Sequence, residues 1–199
     1  MRFKIKNTDV RISFSFFAVF LLSLVSDTFD IYLFSFIASL VHELVHIVFI
    51  LLFGAHISKF SLTLFGGNIR RNTTKIIANP KEAVISFSAP VTNIVIGVVS
   101  LFINGKESVF AIVNLFIGVF NILPFYSFDG GRGLYYLITM KFSDNVANIF
   151  LNITSITVTV AFSFISVFVF INYNKNYLLL ILSVYMILSI IVSLKDHYY

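Results

Sequence analysis

Residues 42–46 read HELVH, and they lie inside an apolar run from Ile31 to Phe53 that is long enough to cross a bilayer. Two imidazoles and a carboxylate are expensive to keep in hydrocarbon, so such a cluster marks a functional site by default. On a helix His42 and His46 stand at i and i+4, one above the other on a single face, where both rings can reach one metal ion. Glu43 is offset beside them, suited to taking a proton from water. The chemistry this spacing serves is metal-assisted hydrolysis, carried out below a membrane surface.

The elements that must hold this cluster follow from composition. The chain has 199 residues, 58% of them hydrophobic and only 12% charged, with 25 phenylalanines. That balance belongs to polytopic helical membrane proteins and excludes a soluble basic domain, so the net charge of +5 implies no direct contact with nucleic acid. Cysteine is absent, which removes disulfides, thiolate ligands and thiol catalysis; any metal is held by nitrogen and oxygen. Arg2, Lys4, Lys6 and Arg11 before the apolar stretch Ile12–Val25 mimic a signal peptide. Residues 23–30, SLVSDTFD, offer no A-x-A-like cleavage site, so this stretch reads as a retained helix.

Charge and turn punctuation predict an all-α polytopic membrane protein, a single domain over 1–199, with about six spans: 12–26, 30–53, 83–103, 108–125, 146–171 and 177–194. Between the second and third, ISKFSLTLFGGNI alternates and turns at Gly66-Gly67, a short membrane-associated β-hairpin. With loops assigned to alternate sides, one side carries twelve Lys and Arg and the other only Lys106 and Lys175. The asymmetry puts both termini in the cytoplasm. At about 1.5 Å per residue, His42 lies roughly 18 Å and His46 roughly 24 Å along the second span, so the site sits in the inner half of the bilayer.

Three protein ligands usually complete a catalytic zinc site. The candidate third is Asp129 in NILPFYSFDGG (121–131), at the cytoplasmic end of the fourth span, where Pro124 breaks the helix and Gly130 and Gly131 allow close backbone approach. Zinc, one ion per chain, suits the N/O donors and the hydrolytic motif. Asn114, Gly118 and Asn121 form one small, polar face, and Pro90, Asn93 and Gly97 another. Packing is the first reading of both stripes; the sharper one has Asn93 or Asn121 contacting substrate or a developing oxyanion. Asn148, Asn152, Ser155, Thr159 and Ser163 line the fifth span as a third polar stripe. His56 reads as a surface histidine and Arg132 as an interfacial anchor.

HELVH followed by N-x-x-P-x-x-x-x-D-G resembles the site-2 protease family of intramembrane zinc metalloproteases. The basic N-terminus, ISKFSLTLFGGNIRR (57–71), SAPVTN (88–93) and NILPFYSFDGGR are similar to its stage IV sporulation branch, which releases a sigma factor from its pro-form. The match covers a core of residues 10–135; helices over 146–194 are accessory. Val45 stands where relatives commonly carry glycine, and Ala89 where glycine usually precedes the proline. The resemblance implies zinc on His42, His46 and Asp129, Glu43 as the catalytic carboxylate, and a form without the C-terminal CBS domain. It further implies a membrane-associated substrate such as a pro-sigma factor, in a bacterial plasma or developing-spore membrane, with a membrane inhibitor or oligomer as further partners. Two other classes compete: a related membrane protein that binds a transmembrane segment without cutting, and a small transporter. Intact Glu43 disfavours the first, and the lack of a second intramembrane charged cluster disfavours the second.

Overall fold

The computed structural model describes residues 2–5, 8–12, 29–63, 66–71, 77–105, 108–172 and 177–196. The expected first span therefore lies outside the described residues apart from Ile12. The described chain is mostly helical and divides into two compact units, Met1–Asn121 and Ile122–Tyr199, a boundary inside the 10–135 stretch.

The first unit combines a sheet with three helices. Strands β1 (Arg2–Ile5), β2 (Thr8–Ile12), β3 (Ile57–Thr63) and β4 (Gly66–Arg71) lie in the order β1-β2-β3-β4. β1 and β2 are antiparallel, as are β3 and β4, while β2 runs parallel to β3. Gly66 and Gly67 do not turn the chain as expected. They belong to β4 and pair with Thr63 and Leu62; residues 64–65 lie outside the described residues.

Helix α1 (Phe29–Leu52) ends at Gly54, with Gly54 N–H donating to the Leu51 carbonyl and Ala55 N–H to that of Ile50, a Schellman-type close. That turn delivers the chain into β3. Ile50, Ala55, Ile57, Ile77 and Ile85 then form a small apolar core, joining the end of α1 to the sheet and to the start of α2 (Asn79–Asn104). Helix α3 (Val109–Ile122) packs on α2 at Gly118, where a Cβ would come 2.7 Å from the Pro90 carbonyl oxygen. Phe34 of α1 meets Phe110 of α3 edge to face at 5.6 Å.

The second unit contains α4 (Asp129–Thr139), α5 (Asp144–Asn172) and α6 (Tyr177–Asp196). The loop before α4 is held from both accessory helices. Tyr126 N–H donates to Ser155 Oγ of α5 at 2.9 Å, and the hydroxyls of Ser127 and Ser189 of α6 share a bond of 2.8 Å. Phe125, fully buried, stacks tilted on Phe128 at 4.7 Å. The Tyr135 hydroxyl donates to Asp144 at 3.2 Å; burial and then that carboxylate push its ionisation above the ordinary tyrosine value.

Burial runs opposite to a soluble protein. His42, Glu43, His46, Glu82, Asn93 and Asn114 are buried, while Leu44, Val48, Leu52, Phe102, Phe116 and Phe164 are exposed. Polar interiors under apolar surfaces are what lipid demands. Among the described residues three helices are long and apolar enough to cross a bilayer: Phe29–Leu52, Asn79–Ile103 and Asp144–Asn172. Together they make this a membrane protein. The segments expected over 108–125 and 177–194 form shorter apolar helices, Val109–Ile122 and Leu179–Val192. The first stops before Pro124, and 14 residues span only about 21 Å against a hydrocarbon core of about 30 Å.

Candidate metal centre

Ala38, His42, Glu43, His46 and Ile50 make the buried stripe of α1, so helical periodicity alone turns both histidines and the glutamate inward. The rings of His42 and His46 meet edge to face, with centroids 4.9 Å apart. Their relative exposures are 6% and 7%, and that of Glu43 is 9%, so water reaches the group only sparingly.

Helix α2 supplies the outer contacts. His46 Nδ1 lies 3.0 Å from the Ile85 carbonyl oxygen, which only accepts, so Nδ1 is the donor and Nε2 is the nitrogen left for a metal. His42 Nδ1 lies 3.3 Å from Asn93 Oδ1. Hydrogen-bonding the far nitrogen of a ligand histidine fixes both tautomer and ring orientation, the usual arrangement around a protein-bound metal. Asn93 is fully buried and also donates from Nδ2 to the Ala38 carbonyl and to Asn114 Oδ1, each at 3.2 Å. Asn121 is half-buried and donates to the Ile117 carbonyl of its own helix at 2.9 Å.

Asp129 is the first residue of α4, where a carboxylate is favoured by the helix dipole. Two glycines put it there. A Cβ at Gly130 would overlap the Ile122 carbonyl oxygen, and one at Gly131 would overlap that of Phe125, so only glycine lets α4 start against the turn that ends α3. His42 and His46 belong to the first unit and face one another on α1 as a pair of nitrogen donors, while Asp129, the candidate third ligand, belongs to the second. His56 and Arg132 are exposed. The sequence reading did not find the partners of His42 and His46. One is a backbone carbonyl with no signature, and the other, Asn93, was read as a packing residue or a contact to substrate or oxyanion.

No protein-family model matches the chain, and a comparison with curated proteins gives no match. Among solved structures, the chain is similar to the site-2 protease from Methanocaldococcus jannaschii. The TM-score is 0.63 at 21% identity, over 94% of this chain and 91% of that one. The chain therefore has the fold of a site-2 protease.

Proposed function

We propose that this chain is an intramembrane zinc endopeptidase that cuts a membrane-associated protein near the cytoplasmic face. The observation that supports it most is the buried His42–His46 pair on a membrane-length helix, with Nδ1 of each ring bonded away; Asp129 is the proposed third ligand. Two neutral imidazoles and a carboxylate suit zinc and leave a fourth position open. When bound, the ion would polarise the scissile carbonyl and make water acidic enough to attack near neutral pH. Glu43, buried one residue from His42, takes the proton from the attacking water and passes it to the leaving amine. The twelve-to-two distribution of Lys and Arg supports cytoplasmic termini, in a bacterial plasma or developing-spore membrane. The motifs shared with the sporulation branch support a pro-sigma factor as substrate.

The test is metal content and cleavage together. Purified in detergent, the wild type is expected to hold one zinc per chain and to process a co-expressed, membrane-tethered pro-sigma substrate. His46→Ala and Asp129→Ala should each lose both properties, and chelation should stop cleavage until zinc is returned. A folded wild type that binds no metal and cuts nothing would sink the enzyme reading in favour of a membrane-segment binder.

A transmembrane substrate hides its carbonyls in its own helix and must become extended before it is cut. Strand β4 ends the sheet and pairs only with β3 among the described residues, so its other edge suits strand addition. Neighbouring strand residues point their N–H groups to opposite edges. Of Asn68→Pro and Ile69→Pro, then, one breaks the β3–β4 ladder and the other touches only the free edge. The free-edge variant should fold and cleave about fivefold more slowly, the worth of one main-chain hydrogen bond of about 1 kcal/mol. Undiminished cleavage by that variant removes strand addition from the mechanism.

A further inference from the structure

Two helix carbonyls decide which nitrogen of His42 faces a metal. Asn114 Nδ2 donates to the Phe110 carbonyl at 2.9 Å, and because that oxygen only accepts, the amide of Asn114 cannot be reversed. Its Oδ1 therefore points the other way, toward Asn93, which presents Nδ2 to it at 3.2 Å. The Ala38 carbonyl, 3.2 Å from the same nitrogen, demands the same orientation of Asn93. Oδ1 of Asn93 is then what remains for His42 Nδ1, at 3.3 Å. That oxygen cannot donate, so His42 must donate from Nδ1, which turns Nε2 toward a metal. Both asparagines are 0% exposed, which leaves no solvent to satisfy a flipped amide.

We propose that Asn93 and Asn114 act as a two-amide relay that fixes the tautomer and ring orientation of His42, with Asn93 as a positioning residue of the metal centre. The inference rests on the reading of His42 as a ligand and adds the device that prepares it. The two histidines are prepared differently: His46 by a backbone carbonyl that no side-chain change removes, His42 by side chains that substitution can reach.

The full chain in detergent micelles decides it, with zinc affinity measured by chelator competition and the histidine rings followed by nitrogen-15 NMR. Asn93→Leu, close in volume but unable to accept, should weaken zinc binding by about 10–100-fold, the usual effect of losing such a partner. Asn93→Asp keeps the acceptor for His42 but gives up the donor to Ala38 and Asn114, so its zinc affinity should fall less than that of Asn93→Leu. Asn114→Leu touches no ligand; it should fall between wild type and Asn93→Leu and should shift the metal-free His42 ring from a single Nδ1–H form to a mixture. Asn172→Leu, whose amide likewise donates only to its own helix, is the control and should match the wild type. If Asn93→Leu fails to fold, the contrast of Asn93→Asp with Asn114→Leu carries the same decision. Wild-type affinity and an unmoved tautomer in the folded relay variants overturn the relay alone. A folded wild type that takes up no zinc overturns the metal-site reading and the relay's purpose with it.

Discussion

Glu43→Gln is expected to leave the chain folded and zinc-loaded while lowering cleavage by about 10²–10⁴-fold, the usual contribution of a positioned general base. The two side chains have nearly the same shape, and Glu43 is buried in a stripe set by the periodicity of α1, so packing changes little. The substitution removes the negative charge and with it the ability to accept a proton. In free energy the loss is about 3–5 kcal/mol of barrier, larger than the effect expected from any change behind the ligands. Metal content separates this outcome from simple damage, because His42, His46 and Asp129 are untouched. Full cleavage by Glu43→Gln would mean that another group handles the proton and would end the assignment of Glu43. Loss of both zinc and cleavage would instead make Glu43 structural.

The cluster on α1 was legible because helical spacing does the arranging: residues four apart share a face wherever that helix packs. The bounds of α1 were expected at 30–53 and are observed at 29–52. The relay was not legible, since Asn93 meets His42 across 51 residues, a pairing set by the packing of α2 on α1 and unmarked in either segment. Strands β1 and β2 were missed for another reason. Arg-Phe-Lys-Ile alternates with the period of a strand, yet four residues are too few to distinguish a strand from a basic flank, and the charges were read as topology alone. The misplaced hairpin turn came from treating Gly66-Gly67 as punctuation. Glycine also serves inside a strand, and the register here gives both glycines partners in β3.

Gly131→Ala should damage the metal site although it changes no ligand and no catalytic group. In a free helix the exchange favours alanine by about 1 kcal/mol. Here the new Cβ would overlap the Phe125 carbonyl oxygen, and a backbone atom cannot swing aside as a flexible side chain would. Phe125 is fully buried, and its loop is pinned by Ser155 and Ser189, so the carbonyl has little room to retreat. The cost of overpacking, about 1–3 kcal/mol, therefore outweighs the helical gain, and the start of α4 must shift instead. Asp129 is the first residue of that helix, so the shift reaches the proposed third ligand directly. Zinc affinity and cleavage should fall together, each by at least about tenfold, with the helical content of the chain retained. Gly133→Ala, two residues further along α4, supplies the comparison, because Gly133 is buried in the same helix but lies about a turn beyond the start that carries Asp129. Equal, near-wild-type zinc affinity in the two variants would show that the close approach at Gly131 does not set the position of Asp129. A loss confined to Gly131→Ala would tie the double glycine to the metal site.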